Sequence, residues 1–430
     1  MKINFKCLST SLIKNSIWVI LASLISKGLN FISIAWIAKL LGPEIFGEYN
    51  VVQTTVGMFG TVSGLGLGLA ATKLIAEWRI KDTKRVGNII GTLYYLSFLV
   101  SIVVAVIFFI TSGWVSTSLL NNKSLSMLLK ITSLIVVFDA INGVQNGFLA
   151  GFEAFKEIAF ISTIVIVIST PLLIIGSYYY GLTGLTVMLL VTRLINVIVN
   201  TIYLNKKLYE LNIVVKPQLQ RDNLRSIFAI SIPSFLSSFA TSPVTWVTTT
   251  IFVNQPNGYN ALGSYNAASQ LKTLVLFLPE SAGKVTIPRL ANAYGNGDLK
   301  TFKSTVISTF LLNLVLSVLP SIALLFFSGI FQHFFGAKFD LSNNLIQIVL
   351  ATGVLIAITN AIGYIFICSN LIWYDFYLRI IWGITLILFI IFYGRYNGAI
   401  GYGVSILGAY VINLITQVII IFLKFRHKKI

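Results

Sequence analysis

Twelve stretches of about 20 or more mostly apolar residues recur along the chain, separated by short polar segments. A helix needs about 20 apolar residues to cross the hydrocarbon core of a bilayer. This pattern predicts an all-α membrane protein with twelve transmembrane helices. The stretches cover residues 15–41, 51–76, 88–112, 127–151, 157–178, 182–205, 226–252, 263–288, 304–327, 343–369, 375–394 and 399–423.

The composition of the chain agrees with this class and excludes others. Of its 430 residues, 56% are hydrophobic and 10% are charged, whereas soluble domains carry about 25% charged residues. A soluble enzyme, a disordered chain and a disulfide scaffold are therefore excluded. The two cysteines, Cys7 and Cys368, lie far apart in the sequence, and the histidines are few. We expect no disulfide, no metal site and no cofactor.

The basic residues are distributed unevenly among the polar segments. The 31 Lys and Arg against 13 Asp and Glu give a net charge of +18. Twenty of the basic residues lie in the termini and in one set of alternate loops, whereas only Lys123, Lys338 and Arg395 lie in the other set. This split is typical of the positive-inside distribution. It predicts cytoplasmic termini and accounts for the charge without nucleic acid.

The two halves of the chain resemble each other at a shift of 216–218 residues. Residues 47–50 read Gly-Glu-Tyr-Asn and residues 263–266 read Gly-Ser-Tyr-Asn, and Asn196 falls opposite Asn413. We therefore predict an N-terminal six-helix bundle, a cytoplasmic linker, and a C-terminal six-helix bundle with a basic tail. Such repeats are typical of transporters with a site between the halves. The predicted bounds are 1–205, 206–225 and 226–430.

The turn after the first stretch reads Leu-Gly-Pro-Glu-Ile-Phe-Gly-Glu-Tyr over residues 41–49. It resembles the Leu-Gly-Pro-x-x-Phe-Gly-x-Tyr signature of the Wzx-type O-antigen and capsule flippases, which belong to the multidrug/oligosaccharidyl-lipid/polysaccharide exporter superfamily. Residues 142–155 are also similar to that family. The fourteen spans typical of the peptidoglycan-precursor branch exceed the twelve expected here.

The resemblance implies two six-helix bundles related by a pseudo-two-fold axis, V-shaped around a central cavity. It also implies alternating access that moves a polyprenyl-pyrophosphate-linked oligosaccharide from the cytoplasmic to the outer leaflet of the bacterial plasma membrane. The implied partners are the lipid-linked glycan, the bilayer, and a polysaccharide polymerase with its chain-length regulator. No enzymatic activity is implied.

A diphosphate crossing the membrane needs a wet cavity with cationic groups, because an unpaired charge in hydrocarbon is very unfavourable. Lys27, Arg193 and Lys272 lie near mid-depth in their stretches, where charged residues are functional candidates. We predict that they bind the substrate. Polar residues at helical spacing in the first and seventh stretches would line the same cavity, among them Ser23, Asn30 and Ser238.

Asp139 and Glu280 are the deep carboxylates and are candidates for proton or sodium coupling. Other interpretations remain open for these groups. Asp139 and Arg193 would equally form a structural ion pair, Lys272 would pair with Glu280, and the hydroxyl stripes would serve helix packing. Lipid asymmetry or removal of the product would drive export without any titrating residue.

Two other functions compete with the flippase hypothesis. A multidrug or cation antiporter of the same fold would need carboxylates and aromatic groups in its cavity, whereas the deep charges here are mostly cationic. A membrane-bound polymerase or ligase would need a large external loop with catalytic residues. The outer loops of this chain are too short for one.

Overall fold

The computed structural model describes residues 5–369 and 371–426, and within this part the chain is almost entirely helical. Two π-helical segments, Val115–Leu119 and Ile390–Gly394, extend the third and twelfth helices. The α-helices in chain order are α1 Phe5–Gly64, α2 Leu67–Trp78, α3 Thr83–Trp114, α4 Leu125–Gly151, α5 Phe155–Glu210, α6 Arg221–Phe239, α7 Ser242–Val253, α8 Gly258–Gly295, α9 Leu299–Phe326, α10 Ser328–Phe335, α11 Asn343–Cys368, α12 Ile372–Phe389 and α13 Gly398–Arg426.

Two of the helices are long because each joins two predicted spans across a break in the backbone. Within α1 the break is Gly42, with φ 79°, and within α5 it is Tyr180 and Gly181. A glycine adopts a positive φ without a steric penalty, so both glycines sit where the chain must turn. Over the described residues, nine helices are long and apolar enough to cross a membrane. The all-α membrane class is confirmed, while the count of twelve crossings stays a prediction.

The helices expose apolar side chains that a soluble protein would bury. On α3, Val103, Ile107 and Ile110 are at least half exposed, whereas Val104 and Phe108 are buried. The exposed residues recur at helical spacing and form one apolar face. Such a face is stable against lipid and unstable in water.

The first compact unit comprises residues 1–40 and 52–239. Its core includes Leu74, Ile90, Phe148 and Leu204, which come from α2 to α5. The segment predicted as a linker packs on α3 in this unit, where the Thr92 hydroxyl and the Asn88 amide donate hydrogen bonds to Gln218 at 2.8 Å. Helix α6 also belongs to the first unit. The units thus meet in sequence at 239/240, beyond the predicted linker, and the predicted domains stay a prediction.

The second unit comprises residues 41–51 and 240–430, so it includes the Leu-Gly-Pro-Glu-Ile-Phe-Gly-Glu-Tyr segment of residues 41–49 in α1. The two repeated motifs pack on each other within it. A Cβ atom added at Gly47 would meet the Tyr259 carbonyl oxygen at 1.9 Å, and one at Gly263 would meet the Pro43 carbonyl oxygen at 1.9 Å. These contacts are reciprocal, because Pro43 and Tyr259 are separated by the same 216 residues as the glycines. The motif therefore has a packing role.

The internal repeat is visible in the backbone as well as in the sequence. Asp82 caps α3 by accepting a hydrogen bond from the Arg85 backbone N–H at 3.0 Å, and Asp298 caps α9 in the same way from Thr301. Gly181 and Gly398, 217 residues apart, adopt φ values of 55° and 53°. Equivalent positions therefore begin or break helices in both halves.

Candidate functional site

The predicted cationic residue of the first helix, Lys27, is half-buried, and Asn30 one turn later is exposed. The side chain of Ser23 lies outside the described part of the structure. Ser26, beside Lys27, shares a hydrogen bond of 3.3 Å with Thr163, which fixes this part of α1 against the first half of α5.

The Arg193 guanidinium and the Asp139 carboxylate form an ion pair across α4 and α5. The Arg193 Nε and Asp139 Oδ1 atoms are 3.3 Å apart, and each side chain keeps about a third of its surface exposed. The sequence left open whether Arg193 pairs with Asp139 or binds the substrate, and the ion pair is present in the structure. Partial exposure leaves the guanidinium accessible, so the pair does not preclude contact with an anion.

Beside this pair, the side-chain amides of α4 and α5 bind one another. The Asn200 amide donates to Asn142 Oδ1 at 3.2 Å and to Asn196 Oδ1 at 2.9 Å. The Asn142 amide donates to the Arg193 carbonyl oxygen at 3.4 Å, and the Gln145 amide to Thr201 at 2.8 Å. We call these four amide residues the amide cluster. It ties the two helices together, although Asn200 Oδ1 and Gln145 Oε1 accept nothing from the described residues.

Lys272, the predicted cation of α8, lies in the second unit with its Nζ atom 5.7 Å from the centre of the Tyr265 ring. A cation over an aromatic face is stabilised by the ring quadrupole. Its methylene groups lie close to Gly353. The Tyr265 ring thus gives this lysine a favourable contact within an apolar helix bundle.

The remaining predicted residues are more exposed. Glu280 is exposed. The side chain of Lys284, four residues later on α8, lies outside the described part of the structure. Ser238 is exposed, and its hydroxyl donates to the Ser234 carbonyl oxygen at 3.2 Å.

The predicted hydroxyl stripe of the seventh stretch is divided between two helices, because α6 ends at Phe239 and α7 begins at Ser242. Ser231 and Thr249 are buried. The Thr249 hydroxyl is 3.3 Å from that of Tyr402. At these two positions the stripe serves helix packing.

The second unit contains a polar cavity of about 370 Å³ among α7, α11, α12 and α13. We call it the C-unit cavity. An ion pair on its wall joins Arg379 Nε to Asp375 Oδ2 at 2.8 Å, at the i, i+4 spacing that brings two side chains together on one helix. Trp382 and Tyr410 also line it, with ring centres 5.5 Å apart.

Three polar atoms of the C-unit cavity have no hydrogen-bond partner among the described residues. They are Trp382 Nε1, Asn413 Oδ1 and Gln417 Oε1. The sequence analysis singled out Asn413 only as part of the repeat and did not include Trp382 or Gln417. A signal was present, because Asn413 and Gln417 stand at i, i+4 on the apolar last helix and so share one face.

Within the described residues, no group of three or more His, Cys, Asp or Glu side chains is arranged to bind a metal ion. The chemistry of these sites is therefore that of ion pairs, amides, hydroxyls and aromatic rings. Such groups bind and orient a polar molecule.

Comparisons with known proteins give a consistent picture of family and fold. A family model described as "Polysaccharide biosynthesis protein" matches residues 12–294, and a second, described as MatE, matches residues 233–381. The lipopolysaccharide biosynthesis protein WzxC of Escherichia coli is 24% identical over 93% of this chain and 78% of its own length. A Shigella flexneri protein, named as a candidate O-antigen transporter, is 23% identical over 79% of this chain and 81% of its own length.

Among solved structures, an inward-facing multidrug resistance MATE family transporter of the MOP superfamily has a TM-score of 0.73 and 17% identity. The match covers 94% of both chains. A MOP superfamily transporter from Pyrococcus furiosus has a TM-score of 0.67 and 16% identity, covering 97% of this chain and 94% of that one. At these identities the likeness shows the fold alone.

Proposed function

Since the chain belongs to the polysaccharide biosynthesis protein family, we propose that it is a flippase for a polyprenyl-pyrophosphate-linked oligosaccharide. It moves this lipid from the cytoplasmic to the outer leaflet of the bacterial plasma membrane. The observation that carries the proposal is the relation, over 93% of this chain, to a protein named for lipopolysaccharide biosynthesis. The related O-antigen transporter name supports the same substrate class.

The substrate divides physically into an apolar tail, an anionic diphosphate and a glycan. The tail remains in lipid during transport, whereas the head needs protein groups that replace water. We propose that Lys27, Arg193 and Lys272 interact with the diphosphate. Each is a cation at membrane depth, and the guanidinium of Arg193 suits phosphate oxygens because its donors form a planar fork. Asn30, Ser23 and Ser238 would bind the hydroxyl groups of the glycan.

Transport by alternating access requires the protein to expose this head group first to one side of the membrane and then to the other. No bond is made or broken in the substrate. Asp139 and Glu280 are the carboxylates that an ion-coupled cycle would use. The basic residues of alternate loops support cytoplasmic termini, and a polymerase with its chain-length regulator would take the product at the outer leaflet.

An export assay in a strain that lacks this protein tests the cationic residues. We expect Lys27→Ala, Arg193→Ala and Lys272→Ala each to reduce surface polysaccharide by about tenfold or more, because each loses a charged contact worth about 1.5–3 kcal/mol. Surface polysaccharide is measured by antibody labelling, and protein abundance in the membrane by immunoblot. Lys39→Ala is the matched control, since Lys39 is an exposed lysine of the same helix as Lys27. Full export by all three variants would contradict the cationic mechanism.

The antiporter of the same fold is the alternative function. Cationic drugs are attracted by carboxylates and repelled by lysine and arginine. The described deep charges are three cations against Asp139, which is paired, and Glu280, which is exposed. A strain that gains drug resistance from this protein without any effect on surface polysaccharide would favour the antiporter.

A further inference from the structure

The C-unit cavity, defined above among α7, α11, α12 and α13, has features that the proposed diphosphate contacts do not explain. Its volume of about 370 Å³ falls in the range of about 300–1,000 Å³ that is usual for small-molecule sites. Trp382 is 8% exposed and Gln417 is 4% exposed; both residues line the cavity, and each has a buried polar atom without a partner among the described residues. Buried polar atoms are normally satisfied, so these atoms indicate a ligand or solvent that completes them.

The unpaired atoms include both hydrogen-bond donors and acceptors. Trp382 Nε1 only donates, whereas Asn413 Oδ1 and Gln417 Oε1 only accept. A hydroxyl group is the common chemical group that donates and accepts at the same time. A ligand with several hydroxyls on a ring therefore offers both kinds of partner that these atoms lack.

The charges at the cavity disfavour simple ions. The charged side chains on its wall are Arg379 and Asp375, so neither a cation nor an anion meets a net opposite charge there. Because Arg379 and Asp375 are paired at 2.8 Å, their net charge is zero. The rings of Trp382 and Tyr410 add apolar surface, which suits the C–H face of a sugar as well as its hydroxyl edge.

Lys272 and the C-unit cavity both adjoin helix α11. The methylene groups of Lys272 lie close to Gly353, two helical turns before Asn360 of the cavity wall. In a lipid-linked glycan the first sugar is attached directly to the diphosphate. A phosphate oxygen near Lys272 would therefore bring the neighbouring sugar to this cavity.

From these observations we infer that the C-unit cavity is a saccharide-binding subsite that receives one sugar ring of the substrate. Trp382 donates to a ring hydroxyl, and Asn413 and Gln417 accept from others. This inference rests on the proposed flippase function for the identity of the substrate. The binding itself is a property of the cavity and is measured separately.

The test uses the full chain in lipid nanodiscs and free sugars as probes. N-acetylglucosamine, glucose and galactose are titrated, and binding is followed by saturation-transfer NMR. We expect saturable binding of at least one of these sugars. Gln417→Leu and Trp382→Phe should each weaken binding by about tenfold, because each removes one hydrogen bond to a buried group. Trp114→Phe is the matched control, since Trp114 is an exposed tryptophan outside the cavity.

Three results would overturn the inference. The first is no binding of any of the three sugars to the wild-type chain. The second is sugar binding that is unchanged in both cavity variants, with thermal unfolding used to confirm that they are folded. The third is binding of sodium or inorganic phosphate, in place of sugar, that is lost in Asp375→Asn or Arg379→Gln.

The export assay separates this inference from the proposed function. Normal export by Trp382→Phe and Gln417→Leu, together with unchanged sugar binding, would leave the flippase in place and remove the subsite. Sugar binding that depends on the cavity, in a protein that does not restore export, would support the subsite and contradict the flippase.

Discussion

The two halves of this protein carry polar residues at equivalent positions but use them differently. Asn196 and Asn200 of α5 correspond, at a shift of 217, to Asn413 and Gln417 of α13. In the first unit the Asn200 amide donates to two other asparagines. In the second unit Asn413 and Gln417 line the C-unit cavity, and their side-chain oxygens accept no hydrogen bond from the described residues. The same sequence repeat thus gives a closed cluster in one unit and an open polar cavity in the other.

The difference depends on what surrounds the equivalent positions. Tyr410 of the second unit stands where the first unit has Arg193, which is held by Asp139. The second unit instead places its ion pair on α12, at Asp375 and Arg379, on the wall of the cavity. The amides of the first unit bind one another and join α4 to α5, although Asn200 Oδ1 and Gln145 Oε1 accept nothing there, whereas Asn413 and Gln417 of the second unit line a cavity.

The largest predicted effect concerns the feature in which the two repeats are alike, the crossing at Gly47 and Gly263. Gly47→Ala and Gly263→Ala should each lower the free energy of unfolding by about 3 kcal/mol, because each added methyl group meets a backbone carbonyl that is unable to move freely. Thermal unfolding of the purified variants measures this. Since the contacts are reciprocal, the two losses should be similar. Gly57→Ala is the control, because nothing lies within 4 Å of its added Cβ atom.

A clearly larger loss of stability in one glycine variant than in the other would contradict the expectation that the two contacts are equivalent. A mild loss in both, near that of Gly57→Ala, would show that the two helices separate easily. The motif at residues 41–49 would then need another explanation than packing.

The next prediction compares the amide cluster with the C-unit cavity directly. Asn200→Leu should lower the free energy of unfolding by about 2 kcal/mol, because it leaves the Asn142 and Asn196 carbonyl oxygens without their donor. Gln417→Leu should change it by less than about 0.5 kcal/mol, since it removes no hydrogen bond within the described protein. The same thermal measurement applies to both, and equal losses would contradict the distinction between closed and open polar regions.

The sequence predicts the helices well where apolar runs end at capping residues. The predicted stretch 343–369 corresponds to α11, Asn343–Cys368, which follows the capping serine Ser342. The sequence pattern predicts the helix ends less well where the backbone stays helical past the end of an apolar stretch. Helix α1 continues through the break at Gly42, because a glycine with a positive φ turns the chain without ending the helical hydrogen bonding nearby.

The candidate site was only partly accessible from the sequence. Depth in an apolar stretch selects Arg193 and Lys272 as candidates, because a charge in a membrane helix is unusual, and their binding role stays a prediction. The sequence does not predict the different surroundings of Asn200 and Gln417. Whether a side-chain amide bonds to another side chain or faces a cavity depends on which residues lie around it. Those neighbours depend on how α4, α5, α12 and α13 pack against one another, and the sequence of a single helix does not determine this packing.

The smallest predicted effect compares two equivalent helix caps. Asp82→Ala should lower the free energy of unfolding by about 0.5 kcal/mol, because α3 loses one capping acceptor. Asp298→Ala should give a similarly small drop in the unfolding midpoint, because α9 loses the equivalent acceptor.

Hydrogen bonds from Thr301 hold the pKa of the Asp298 carboxyl below its usual value. A lowered folded-state pKa means that this contribution is present above the ordinary carboxyl range and is lost as the pH falls. The side-chain oxygen of Asp298→Asn still accepts a hydrogen bond but does not titrate. This variant should therefore lose less stability at acidic pH than the wild-type chain does. An unchanged pH profile of thermal unfolding would show that the Asp298 cap does not contribute to the acid sensitivity.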